Sequence, residues 1–186
     1  MASKGSRPVS PAFEAEALLS LDSLYRTARR LTREPADAED LVQETFLRAF
    51  RAADRFEPGT NLRAWLFTIL HNTARNRVRD RVRDTVSVDS EAVERAAEQP
   101  PPGGAVETPE TLMLRATLAP DIQAAIDELP ASFRQAVWLR DVEEFSYAEI
   151  ADMLEIPVGT VMSRISRGRR MLFNALAVRQ PVAVNE

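Results

Sequence analysis

The segment TVMSRISRGRR, residues 160–170, holds Thr160, Ser163, Arg164, Ser166, Arg167, Arg169 and Arg170, and no acid stands between Glu155 and Glu186. Guanidinium and hydroxyl groups free of nearby carboxylates suit the recognition of phosphates and base edges. Arg pairs bidentately with guanine, and Ser reaches a base or a phosphate. A second group lies earlier: Asn61, Trp65, Asn72, Arg75, Asn76 and Arg79. An aromatic ring followed by an Asn/Arg face is what an unpaired nucleic-acid strand needs, a ring to stack on and cations for the backbone. The competing reading of that stretch is a core Trp with a solvated Arg tail. A third group, Asp40, Gln43, Glu44 and Leu47, sets a leucine among charges, which reads either as an anchor for a partner or as a solvated face. Bond-making chemistry finds no support. There is no nucleophile–base constellation, no phosphate loop and no metal cluster. With one His (His71) and no Cys, His-based and thiolate metal sites, disulfides and a thiol redox sensor are excluded. The expectation is a non-enzyme without cofactor or metal.

The elements that must position the first group are legible. Ser146 and Glu149 form a capping box, and Ile150, Ala151 and Leu154 share one helical face behind it. Pro157 ends that helix and its fixed φ suits the opening of the next. Val161, Ile165 and Leu172 make the buried stripe of this second helix, and small Ala151 allows close approach. This is the build of a helix-turn-helix whose second helix enters the DNA major groove. A structural helical hairpin with a basic outer face is the alternative.

The chain has 186 residues, 45% of them apolar, and a formal charge of −4. That balance argues against a protein that coats nucleic acid indiscriminately. Charge is unevenly spread: Arg75, Arg77, Arg79, Arg81 and Arg83 face one acid, Asp80, whereas from Asp84 to Glu110 Arg95 is the only base. Local basic surfaces on an acidic chain suggest DNA plus a protein partner. No apolar run approaches membrane-spanning length and the first residues lack a signal-peptide core, so the expected compartment is the cytoplasm.

In order, residues 1–12 read as a disordered tail. Phe13 to Leu31 reads as one helix with Leu18, Leu21, Leu24, Tyr25, Ala28 and Leu31 inward. Pro35 starts a second helix with acids in its first turn and a stripe of Val42, Phe46, Ala49, Phe50 and Ala53. Phe56 to Asn61 is a loop, and Thr60 or Asn61 caps a third helix, Leu62 to about Arg83, with Leu62, Leu66, Ile69 and Thr73 inward. Trp65 and Phe67 cannot both join that stripe, so one aromatic should be partly exposed. Residues 84–108 contain QPPPGG and read as a flexible acidic linker. Helical periodicity returns with Leu112, Leu114 and Leu118, then after Pro120 with Ile122, Ala125, Ile126 and Leu129. Ala131 to Val142 reads as one helix carrying Phe133, Val137, Trp138 and Val142 inward, and residues 178–186 as a loose tail. The fold class is therefore all-α: two small helical domains, 13–83 and 109–177, joined by a flexible linker, the C-terminal one containing the helix-turn-helix.

Two blocks, Asp37 to Arg79 and Leu129 to Arg170, resemble the two domains of the extracytoplasmic-function (ECF) class of bacterial RNA polymerase sigma factors, in the family's order and with a linker between. The resemblance implies an alternative sigma factor that directs polymerase to promoters and assists melting. Asp40, Gln43, Glu44 and Leu47 would bind the clamp coiled coil of core polymerase, with the flap as a further contact. Asn61, Trp65, Asn72, Arg75, Asn76 and Arg79 would read the minus-ten non-template strand, with Phe56 to Thr60 as pocket wall. Thr160 to Arg170 would enter the minus-thirty-five major groove: Thr160 at its start, Ser163, Arg164 and Arg167 at base edges or adjacent phosphates, Arg169 and Arg170 on the backbone. Met162 stands where many members are basic. The resemblance also implies an anti-sigma factor and no stable homo-oligomer. A dimeric helix-turn-helix regulator on palindromic half-sites, and a helical interaction protein without a DNA role, are the rival classes.

Overall fold

The computed structural model describes residues 10–32, 34–85 and 120–179. The expected linker therefore lies outside the described residues except at its very start, as do Leu112, Leu114, Leu118 and residues 180–186. The chain divides into two compact units, Met1–Val88 and Asp89–Glu186. Regular structure among the described residues is helical throughout, as the periodicity requires.

The first unit contains α1 (Pro11–Leu18), α2 (Leu21–Leu31), α3 (Pro35–Arg51), a short 3-10 turn (Ala53–Arg55) and α4 (Leu62–Thr85). Three of these, α2, α3 and α4, pack on one another around Leu24, Ala28, Leu41, Val42, Phe46, Leu66, Phe67 and Leu70. The single helix expected over 13–31 is broken. Ser20 donates its amide to Ala17 O at 3.0 Å, and Ser23 Oγ donates to Ser20 O at 3.0 Å, so short polar groups compete with the helical ladder at the joint. The break carries α1 onto α4, where the Phe13 ring meets Phe50, Phe56 and Trp65 at centroid distances of 6.3, 5.8 and 6.2 Å. It also removes Leu18 and Leu21 from the expected core stripe, leaving them 50% and 42% exposed.

Pro35 opens α3 at its first turn, where a missing amide costs nothing. Asn61 caps α4 by accepting from Ala64 N at 3.1 Å, while Thr60 Oγ1 turns back to Glu57 O at 2.7 Å. Ala53, expected on the α3 stripe, sits half-buried in the 3-10 turn. Within α4, Phe67 is fully enclosed and Trp65 half-buried, which settles which aromatic leaves the core. Ile69 is also only half-buried; Leu70 and His71 fill that part of the core instead.

The second unit contains α5 (Pro120–Asp127), α6 (Ala131–Val137), α7 (Tyr147–Leu154) and α8 (Val158–Arg179). The helix expected over 131–142 changes its winding: Trp138–Val142 form a π turn, in which Glu143 N donates to Trp138 O at 3.1 Å. The widened turn lets Trp138 and Leu139 both point inward while Phe133 and Val142 stay half-buried. The α8 helix runs two residues beyond the expected end at Ala177.

Candidate nucleic-acid interface

Local chemistry sets up the helix pair α7–α8 as expected. Ser146 Oγ accepts from Glu149 N at 3.2 Å, and Glu149 Oε2 accepts from Ser146 N at 2.8 Å, so the capping box is complete. The helix stops at Glu155, which takes the left-handed conformation (φ 54°). Pro157 precedes the first residue of α8 and accepts through its carbonyl from Thr160 N and Val161 N at 2.8 and 3.1 Å. Ile150, Ala151 and Met153 are buried on α7, and Val161, Ile165 and Gly168 on α8, with Leu154 and Leu172 half-buried.

At about 100° per residue, the buried side of α8 fixes where everything else points. Thr160, Ser163, Arg164, Arg167 and Arg170 fall in one sector away from Val161 and Ile165. Ser163, Arg167 and Arg170 are exposed, Arg164 and Thr160 half-buried. Ser163 Oγ donates to Thr160 O at 2.9 Å, leaving its lone pairs outward. Arg169 departs from the expectation. It lies on the opposite flank of the buried stripe, where its Nε donates to Asp141 Oδ2 at 3.0 Å and its Nη2 makes a second, very short contact to Asp141 Oδ1. The hydrogen bonds to Asp141 push its pKa up, outweighing partial desolvation. The reason is the π turn, which brings Asp141 to that flank. Reading charge along the sequence placed Arg169 with its neighbours; the helical angle and the acid 28 positions earlier pull it away.

The second group comes together completely. Trp65, Asn72, Arg75, Asn76 and Arg79 fall in one sector of α4, with Asn61 at its N-cap; Asn76 borders the buried side at Leu62, and Asn72 has its Oδ1 buried. Trp65 leans on Phe56 at 5.5 Å and on Phe13, forming an aromatic wall at the N-terminal end of that face. Arg79 Nη2 donates to Asn76 Oδ1 at 2.9 Å. Phe13 was not among the expected residues; its role as a buttress depends on the α1–α2 break.

Of the third group, Asp40, Gln43 and Leu47 line an open groove of about 670 Å³ between α2 and α3. Its apolar lining includes Leu18, Leu21, Tyr25, Val42 and Phe46, with Asp22 and Glu39 also at its walls. Leu47 is 50% exposed there. Glu44 does not share this groove. It faces α4, where Oε1 takes Arg48 Nε at 2.9 Å and Oε2 takes Arg77 Nε at 2.9 Å. Partial burial raises the Glu44 pKa, but the bonds from Arg77 and Arg48 outweigh it and hold the carboxyl below its ordinary value. Leu18 and Leu21 were legible as apolar, but not as exposed, because that follows from the break. Among the described residues no group of acids, His or Cys is arranged to hold a metal, and no helix is long and apolar enough to cross a membrane.

Comparison with known proteins finds one family match in each of the two units. Residues 19–84 match the family Sigma-70 region 2, and residues 120–172 match Sigma-70, region 4. The chain is similar to the ECF RNA polymerase sigma factor SigE of Mycolicibacterium smegmatis, 39% identical over 93% of this chain and 65% of that protein. It is also similar to the ECF RNA polymerase sigma-E factor of Escherichia coli strain K12, 40% identical over 74% of this chain and 73% of that protein. Among solved structures, the sigma factor RpoE of Bartonella quintana in complex with the anti-sigma factor NepR matches with a TM-score of 0.66 at 34% identity, covering 92% of this chain and all (100%) of that one. CnrH in complex with the cytosolic domain of CnrY matches with a TM-score of 0.58 at 26% identity, covering 91% and 90%. The chain thus spans just under two thirds of the M. smegmatis relative's length.

Proposed function

This chain belongs to the ECF RNA polymerase sigma factors of the sigma-70 family, and from that membership we propose that it is a promoter-specificity subunit. It binds core polymerase, reads two unlike DNA elements and helps open the duplex at the minus-ten element. The observation that carries this reading is the presence in one chain of two chemically different polar and cationic surfaces. One is a polar and cationic sector on a capped helix-turn-helix, suited to the edges of paired bases. The other is an aromatic-buttressed Asn/Arg face, suited to bases that have left the stack. A dimeric regulator has no use for the second surface.

In the first step, the α3 face carrying Asp40, Gln43 and Leu47 docks on the clamp coiled coil, with Glu44 outside the groove on the flank of α3 toward α4. Thr160, Ser163, Arg164 and Arg167 then read the minus-thirty-five groove while Arg170 holds backbone; Arg169, committed to Asp141, braces α8. Asn61, Trp65, Asn72, Arg75, Asn76 and Arg79 capture the non-template minus-ten strand, and the free energy of that capture favours opening. No bond is made or broken by this chain, and its work is done in the cytoplasm. Because both the RpoE and CnrH relatives were solved with a bound partner, NepR being an anti-sigma factor, the same kind of control is proposed here: a protein that covers the groove and holds the factor inactive.

The test is reconstituted transcription with core polymerase on a genomic promoter library. Arg164→Ala combined with Arg167→Ala should weaken use of promoters that depend on the upstream element, each contact being worth ~1–3 kcal/mol. Unaltered promoter selectivity in the double variant would remove the assignment of α8, and failure of the wild-type chain to associate with core polymerase would remove the whole reading.

A further inference from the structure

The strand-facing sector of α4 extends well past the part of the helix that the core holds. Leu70, His71 and Thr73 are buried, but from Ala74 to Arg81 no side chain is, and Val78 is 40% exposed. Asn76 and Arg79 project from these turns. Apolar packing therefore cannot set their position. What reaches back to α3 is Arg77, at the angular position of the buried face. Its Nε and Nη2 both meet Glu44 Oε2, at 2.9 and 2.7 Å, and Nη2 also donates to Asp40 O at 3.0 Å. Its Nη1 lies 3.4 Å from Asp37 O. One turn later Arg81 Nη2 pairs with Asp37 Oδ2 at 3.2 Å.

We propose that Arg77 is a positioning residue that couples the two jobs of the first unit: by gripping Glu44 and the first turns of α3, it sets the register of the Asn76–Arg79 end of α4 for strand capture. The inference rests on the functional reading above and adds a residue to it. Arg77 points away from the strand-facing sector, so it does not bind the strand itself. A planar fork that engages a carboxylate and helix carbonyls together fixes orientation as well as distance. Any partner that docks against Asp40 and Glu44 presses on the acceptors that hold Arg77. Contact with polymerase is thereby transmitted to the strand-facing end through one side chain.

The experiment uses the full chain with core polymerase and a forked DNA carrying an unpaired minus-ten strand. Three quantities are measured: the midpoint for polymerase association, the affinity of the saturated holoenzyme for the fork, and the dependence of that affinity on salt. Arg77→Gln should leave the polymerase midpoint within about twofold and weaken fork binding at least fivefold, with the salt slope unchanged; Arg77→Lys, which keeps the charge but not the fork, should recover only part. Three results would overturn the proposal: full fork affinity in Arg77→Gln, an equal loss in both affinities (Arg77 then merely folds the unit), or a salt slope reduced by about 0.7, the signature of one lost single-strand phosphate contact. If Arg77→Gln does not fold, Arg77→Lys alone decides, since full activity in it would show that the carbonyl contacts do no positioning. A wild-type chain that binds neither polymerase nor fork would indict the functional reading instead.

Discussion

His71, the sole histidine of the chain, is enclosed in α4 with its Nε2 lacking a hydrogen-bond partner. Burial, and then the nearby Arg75 charge, lowers its pKa from 6.5 to about 4. As pH falls the unfolded chain takes up this proton first, so the folded state loses ground. The stability that comes from keeping His71 neutral is intact above pH 6.5 and is lost as pH falls from there to about 4. The slope is about 1.4 kcal/mol per pH unit, on the order of 3 kcal/mol in all. Urea unfolding at pH 7.5 and pH 5 should show about 2 kcal/mol more acid loss for the wild type than for His71→Leu. Equal pH dependence in the two would mean that the imidazole is not held neutral. The same scale shows where reading along a sequence stops. That Arg167 and Arg170 are basic and outward, with Arg164 half-buried at the edge of their sector, follows from their distance from Val161 and Ile165 along one helix. That Arg169 is spent on Asp141 depends on a residue in another element.

Among the elements, the α6–α8 crossing constrains α8 closely. A Cβ built on Gly168 would sit 2.6 Å from Val137 Cγ2 and 3.4 Å from Phe133 Cβ. Glycine inside a helix costs about 1 kcal/mol relative to alanine, and the close approach explains its presence. Gly168→Ala should therefore destabilise the protein by ~1–3 kcal/mol through overpacking, against the helix propensity gain. Val137→Ala in the same chain should return part of that loss, a coupling readable as non-additive thermal or denaturant midpoints. Ala151 was recognisable as a small residue permitting approach; the glycine that matters more sits among arginines, where charge draws the eye. Likewise, helix existence was readable throughout the described residues, but the α1–α2 break and the π turn were not. Both are small changes in winding that periodicity cannot resolve, and each relocates a side chain: Phe13 to the aromatic wall, Asp141 to Arg169.

For the molecule as a whole, a net charge of −4 spread around two cationic faces limits what the chain can do alone. Non-specific duplex binding is driven by counterion release and needs many phosphate contacts at once. The isolated chain should bind promoter duplex no more tightly than ~10⁻⁶ M at physiological salt, within the non-specific range. Addition of core polymerase should bring tight, start-site-specific binding, since polymerase supplies the scaffold on which both faces act together. Fluorescence anisotropy with and without polymerase checks this; tight, selective binding by the chain alone would point to an ordinary helix-turn-helix regulator.

The amino-acid order by itself determined where helices occur, the caps of α4 and α7, the basic sector of α8 and the Asn/Arg face of α4. All of these depend on side chains within a turn or two of each other, where spacing and local hydrogen bonds suffice. Tertiary structure decided which of those groups remain available. Arg77 and Arg169 are drawn to carboxylates on other elements, Leu18 and Leu21 are turned out to line a groove, and Gly168 is required by a neighbouring helix. Such outcomes depend on distances between segments remote along the chain, and no local pattern encodes them.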